Sequence, residues 1–266
     1  MEVGEWSLEK HNLLRKYVHA SSGARKSKRP DGNLKWQHRT FVDLYCGPGR
    51  VRLSGQTQSS DGGAVAAWRE SMATNSGFTN VYIADLDVQA ASSCHNRLLA
   101  LGSPTEHFVG AAELTVDQVL PKLPKFGLHL VYLDPFNLGH LPFSIIEKFS
   151  SLPHIDIVLH FSVSDLQRNV ELDFLADESR FDAFAPGWKT NVPVDKLSKR
   201  EAREQFTTYW LNKVGDLGFK HSKQQPLFTN SKNGPLYRMI LLSKHPNLPE
   251  KLWNDVARPA TGDLFP

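Results

Sequence analysis

The segment Phe41-Val42-Asp43-Leu44-Tyr45-Cys46-Gly47-Pro48-Gly49-Arg50 joins an apolar run, an acid and two closely spaced glycines. The run reads as a strand. The glycines permit a sharp turn and a close backbone approach to a ligand, at a helix N-terminus where amide groups point outward. Asp43, four residues before Gly47, stands where a carboxylate can accept hydrogen bonds from a cationic or hydroxylated ligand. Dinucleotide-binding folds use a longer G-x-G-x-x-G pattern, whose third glycine is missing here. D-x-x-x-G-x-G after a strand fits S-adenosylmethionine better, because an acid suits the methionine amine. A tight turn that binds nothing leaves the same pattern.

In an open α/β sheet, ligands bind beyond the carboxyl ends of the strands. Asp85, directly after Val81–Ala84, is expected to accept both hydroxyls of an adenosine ribose, and Asp87 to cap the next helix. The expected cofactor residues are therefore Asp43, Gly47, Gly49 and Asp85. Asp134-Pro135-Phe136 follows the apolar run Leu128–Leu133. Methyltransferases acting on exocyclic amines carry an Asp-Pro-Pro-aromatic turn there, whose acid and carbonyls hold the amine while the ring stacks on the base. This chain has one proline and then Phe136-Asn137, a departure that weakens the amine reading; bare Asp-Pro turns are also common. Asp134 and Phe136 are the expected catalytic pair. His160 either lines the same pocket or is a hydrogen-bonded core histidine.

These residues need elements to hold them. Apolar runs at 41–45, 81–84, 108–109, 128–133 and 155–161 read as strands, alternating with helices at 63–72, 87–101, 114–120, 141–151 and 166–176. Continuous apolar strands separated by helices indicate a parallel sheet covered on both faces. A helix is expected over 6–20 with Ser7 as its cap, then a polar, basic loop over 21–33. After a long helix at 199–214, Phe219 and Leu236–Leu242 read as two strands joined by a turn around Asn230–Gly234, an antiparallel finish to the sheet. Residues 169–196, with Phe181, Phe184 and Trp188, suggest a lid or a substrate-side insertion. The expected division is residues 1–40 as N-terminal helix and basic loop, 41–245 as the α/β core with an insertion near 165–200, and 246–266 as a C-terminal extension.

Composition sets the bounds. The 266 residues, 40% apolar and 22% charged, suit one large or two small globular domains. No stretch approaches the roughly 18 apolar residues of a membrane span, and the first residues lack a signal-peptide layout. Cys46 and Cys94 match no metal spacing, so no metal is expected; a reduced, cytoplasmic setting with buried thiols is. The net charge of +3 is small but uneven. Arg15, Lys16, Arg25, Lys26, Lys28, Arg29, Lys35 and Arg39 are opposed only by Asp31. Lys26, Lys28 and Trp36 are the expected contacts to a DNA or RNA substrate, as cations with an interleaved aromatic suit phosphates and a stacked base. The alternative is a solvated loop, with Trp36 anchoring the N-terminal helix to the sheet.

The sequence resembles the three-Cys-motif partner protein family (TcmP) over nearly its whole length. The likeness lies in Trp6-Ser7-Leu8-Glu9-Lys10 with Tyr17, Asp43–Gly49, Gly62-Gly63-Ala64 and Tyr132–Phe136. It continues through Phe161 and Asp165–Asn169, Pro235–Arg238 and Ser243–His245. Family members often have glycine where this chain has Asn137, and Ala or Gly occurs at the position of Cys46. The resemblance implies a Rossmann-like methyltransferase fold and a partner protein carrying a three-cysteine, radical-SAM-like motif. It leaves the activity and the oligomeric state open. Three readings follow: an S-adenosylmethionine-dependent methyltransferase acting on a nucleic acid or nucleotide; a binding subunit of the three-cysteine protein; or another nucleotide-handling enzyme such as a nuclease. No second acid cluster supports the last.

Overall fold

Runs such as Leu130-Val131-Tyr132-Leu133 and Ile157-Val158-Leu159 are buried at every position, which is possible only for strands covered on both faces. A computed structural model describes residues 2–3, 6–53, 55, 57–174, 176–230, 232–245 and 247–257. Its main sheet contains β1 (Arg39–Asp43), β2 (Asn80–Asp85), β3 (Thr105–Val109), β4 (Leu128–Leu133), β5 (Ile155–Ser162), β6 (Leu227–Thr229) and β7 (Pro235–Ser243). The order is β6-β7-β5-β4-β1-β2-β3, and Lys220–His221 also pairs with β7. Strands β1 to β5 run parallel, in a register that sets Val42 of β1 beside Tyr82 and Val131. Strand β7 is antiparallel to both β5 and β6. This is the fold class expected from the sequence: a Rossmann-like, mostly parallel sheet with helices on both faces and a C-terminal antiparallel hairpin. The chain leaves β1 toward β2 and β3, then returns to place β4 on the other side of β1. That reversal opens a crevice at the carboxyl ends of β1 and β4.

The helices that matter here are α1 (Trp6–Ala20), α2 (Gly63–Ala73), α3 (Val88–Ala100), α4 (Ala112–Val119), α5 (Phe143–Phe149), α6 (Val163–Asp173) and α7 (Lys199–Asp216). Side chains alternate between faces along each strand. Phe41, Val81, Ile83 and Leu130 pack with α1, α2 and α3, whereas Val42, Tyr82 and Val131 pack with α4, α5 and α7. Helix α1 is thus part of the core, not a separate unit. No helix among the described residues is long and apolar enough to cross a membrane.

Several expectations require correction. Ser7 lies inside α1 and is buried, so it is not the cap. The expected loop over 21–33 contains a short helix, Ser22–Arg25, because Arg25 is buried and closes it onto the core. The polar stretch after Gly49 forms a side sheet, in which Arg50–Leu53 pairs with Ser59–Asp61 and with Glu2–Val3. Phe181, Phe184 and Trp188 are fully buried, with Phe184 stacked on Trp210 of α7 at 5.1 Å. An aromatic cluster of that kind is core, not lid. Within the expected C-terminal extension, Trp253 is buried against Tyr17. Pro246 and residues 258–266 lie outside the described residues.

Candidate active site

The carboxyl ends of the strands surround a cavity of about 880 Å³, within the size range of cofactor and substrate pockets. Asp43, Gly47, Gly49, Asp85, Asp134 and Phe136 all line it. Residues separated by 93 positions in sequence meet there because β1, β2 and β4 are neighbours.

Gly47 and Gly49 both adopt left-handed backbone, with φ of +54° and +72°. At Gly49 space is short as well: a Cβ would lie 3.0 Å from Cys94 Sγ. At Gly47 a Cβ would meet no atom of the described residues within 4 Å, so the need there is conformational. The turn is tied at both ends. The Gly47 amide donates to Asp85 Oδ2 at 2.8 Å, and Arg97 donates to the Pro48 carbonyl at 2.6 Å. Asp85 Oδ1 accepts from the Asp87 amide at 2.9 Å. Each Asp85 oxygen keeps a lone pair for a hydroxyl donor. Asp87 caps α3, accepting from the Gln89 and Ala90 amides, as expected.

Asp43 is buried, and its Oδ1 accepts from the Tyr45 amide at 3.0 Å. Its Oδ2 is buried with no hydrogen-bond partner among the described residues. Burial pushes the Asp43 carboxyl well above the ordinary carboxylate range, with Asp134 and Asp85 adding to the effect and the Tyr45 amide opposing it. A buried acceptor left unpaired is costly, and a donor or cation entering the cavity would relieve it.

Asp134 behaves in the opposite way. Lys10 Nζ of α1 lies 2.7 Å from Asp134 Oδ2 and 2.8 Å from Oδ1, and His160 Nδ1 lies 3.1 Å from Oδ1. Burial raises the Asp134 pKa, but the Lys10 charge and the His160 hydrogen bond outweigh it and hold the carboxylate well below its ordinary range. Of the two roles open to Asp134, orienting the nucleophile or accepting its proton, so strongly held an anion suits the first. His160 Nδ1 also faces the Pro135 carbonyl at 3.2 Å. With two acceptors beside it, Nδ1 carries a proton, and in that tautomer the lone pair lies on Nε2. The Phe136 ring is 88% exposed at the cavity mouth, and the following turn is pinned by Asp165, which accepts from the Leu138 amide at 3.0 Å.

The expected nucleic-acid contacts do not join this group. Lys26, Lys28 and Trp36 precede β1 and so sit at the amino ends of the strands, the end opposite the cavity. Trp36 packs on His154, just before β5, and Lys26 donates to the Thr74 carbonyl. Arg25 is buried over Phe78 and donates to Ser76, Ser21 and Val18. Arg39 donates to the Gly77 and Trp36 carbonyls. These two cations therefore hold the fold together. Sequence reasoning missed Lys10 and His11 as cavity residues; their helical spacing gave no sign that α1 reaches β4.

No family model matches the chain, and no curated protein matches it. Solved structures do. An O-methyltransferase from Bacillus cereus in complex with SAH aligns at 11% identity and a TM-score of 0.49, covering 89% of this chain and 81% of the other. TomG, an O-methyltransferase from Streptomyces achromogenes in complex with SAM, aligns at 15% identity and 0.45, covering 91% and 92%. WbdD aligns at 14% identity and 0.44, and there the match spans 40% of the longer protein.

Proposed function

We propose that the chain is an S-adenosylmethionine-dependent methyltransferase. The observation that carries this reading is Asp43 Oδ2, buried and unpaired among the described residues, beside a two-glycine turn in a cavity that Asp85 also lines. That donor set suits a ligand with a cationic amine at one end and a ribose diol at the other: Asp43 for the amine, Asp85 for the diol, Gly47 and Gly49 for close backbone approach.

When bound, S-adenosylmethionine supplies an electrophilic methyl group. The protein supplies the proton handling. Asp134, fixed by Lys10, holds His160 with its proton on Nδ1, which leaves Nε2 as the base for the proton an acceptor gives up. Phe136 offers an exposed ring on which a flat acceptor stacks. That ring supports a nucleobase, in a nucleotide or nucleic acid, as the acceptor class. His160→Gln should bind the cofactor normally and lose transfer of labelled methyl to nucleotide or nucleic acid pools. Asp134→Asn should likewise lose transfer more than binding. Equal loss of both in a folded variant would place these residues in the cofactor pocket or the scaffold.

A second reading, a binding subunit of a three-cysteine-motif protein as the TcmP resemblance implies, is favoured by one observation. The exposed basic segment with Lys26 and Lys28 lies too far round the sheet to serve the cavity. Co-purification with such a protein that is lost in Lys26→Glu/Lys28→Glu would support it. Salt-sensitive retention of DNA or RNA by the same segment would assign it to nucleic acid instead.

A further inference from the structure

Helix α6 follows β5 without a break and so starts at the carboxyl end of the sheet, beside the cavity. Helical side chains lean back toward the helix N-terminus, and residues four apart share a face. Ser164 and Arg168 are such a pair, and both line the cavity. The helix is fastened to the turn that carries Phe136: Asp165 Oδ2 accepts from the Leu138 amide at 3.0 Å, and Asp165 Oδ1 accepts from Asn169 at 2.8 Å. Arg180 pairs with both aspartates of the helix, 3.1 Å from Asp165 and 2.9 Å from Asp173. Arg168 is exposed and has no hydrogen bond or ion pair among the described residues. It contributes nothing to holding α6 in place.

The charges around the cavity are divided. Its lysines and arginines are Lys10, Arg50 and Arg168. Lys10 is taken by Asp134, and Arg50 follows the glycine turn, on the side of Asp43 and Asp85. Arg168 stands on the other side, beyond β4 and β5, where Phe136 and His160 also lie. With Asp134 already neutralised, the unbalanced charge on that side is positive.

We infer that Arg168 and Ser164 form a phosphate subsite for the methyl acceptor, a mononucleotide whose base stacks on Phe136. A guanidinium has five N–H donors and no acceptor, in a fork that matches two oxygens of one phosphate. The Ser164 hydroxyl adds a donor on the same helix face. One free guanidinium serves one phosphate, whereas a polynucleotide needs a row of cations along its backbone, and Lys26 and Lys28 lie at the opposite end of the sheet. A cavity of about 880 Å³ is large for a single small ligand and leaves room for a second beside the cofactor. The subsite binds and orients; it takes no part in bond making. This rests on the cofactor reading above and adds the phosphate as the group that selects the acceptor.

The test is equilibrium dialysis of the wild type, Arg168→Gln and Arg168→Lys, each saturated with S-adenosylhomocysteine. The probes are labelled AMP, GMP, CMP and UMP, their nucleosides, and a mixed-sequence oligonucleotide. The wild type should bind at least one nucleotide about tenfold or more tightly than its nucleoside. Arg168→Gln should lose that margin while keeping its affinity for the nucleoside and for S-adenosylhomocysteine. Arg168→Lys, which keeps the charge without the fork, should fall between the two. A wild type that binds S-adenosylhomocysteine but prefers no nucleotide to its nucleoside overturns the subsite and leaves the cofactor reading standing. So does an Arg168→Gln protein that keeps the preference. Tighter, Arg168-dependent retention of the oligonucleotide overturns the mononucleotide in favour of nucleic acid. A wild type that does not bind S-adenosylhomocysteine overturns the cofactor reading and this inference with it.

Discussion

Asp43→Asn is expected to stabilise the ligand-free protein and to weaken its ligand. The carboxylate is buried, with the Tyr45 amide on Oδ1 and no partner among the described residues on Oδ2. Burial holds its folded pKa above the unfolded value, so its stabilising contribution is present below the unfolded pKa near 4 and is lost as pH rises through the folded one. Near pH 7 the free protein therefore carries a cost that asparagine lacks, while the asparagine oxygen still accepts from Tyr45. The gain should be about 1–2 kcal/mol, or roughly 2–8 °C in a protein of this size. Loss of the charged acceptor should cost about 1.5–3 kcal/mol of binding, about 10- to 150-fold. Thermal unfolding of both proteins at about pH 5 and about pH 8 should show the gap widening at the higher pH. Dialysis with labelled S-adenosylmethionine reads the affinity. A variant that melts lower at both pH values and binds normally would refute the reasoning.

Other perturbations separate the parts of the structure. Lys10→Met removes the partner of a buried carboxylate and should cost about 3 kcal/mol in urea unfolding. Because Asp134 has a depressed pKa, that difference should be present above the unfolded pKa near 4 and shrink below it; a gap independent of pH would show that the pair is not what stabilises. Gly49→Ala should melt below Gly47→Ala, since both strain a left-handed backbone but only Gly49 would drive a Cβ to 3.0 Å from Cys94 Sγ. Equal melting temperatures would count against the crowding. Arg25→Ala should cost about 2–4 kcal/mol and Lys26→Ala less than about 0.5, measured in the same denaturant series; a reversed ranking would return Arg25 to the surface patch.

The strands were legible because a doubly covered sheet needs runs apolar at every position, and Leu128–Leu133 matches its strand residue for residue. The strand-end acids followed from the same reading, since parallel strands place their carboxyl ends on one side. What escaped were features set by long-range meetings. Lys10 and Asp134 are 124 positions apart, and nothing local to either marks the pair. Arg25 looked like one more cation in a basic run, yet burial against Phe78 decides its role. The side sheet escaped because its strands are short and polar, and so carry no apolar period. The rings of Phe181, Phe184 and Trp188 were visible, but only the packing of α7 shows that they face inward.

The most direct test of the cofactor reading is a calorimetric titration of the wild type and Asp85→Ala with S-adenosylmethionine. The account predicts saturable binding at one site per chain, weakened in Asp85→Ala by about 1–3 kcal/mol through loss of charge-assisted hydrogen bonds to the ribose. Absence of heat at millimolar ligand, or wild-type affinity in a folded Asp85→Ala, would contradict it.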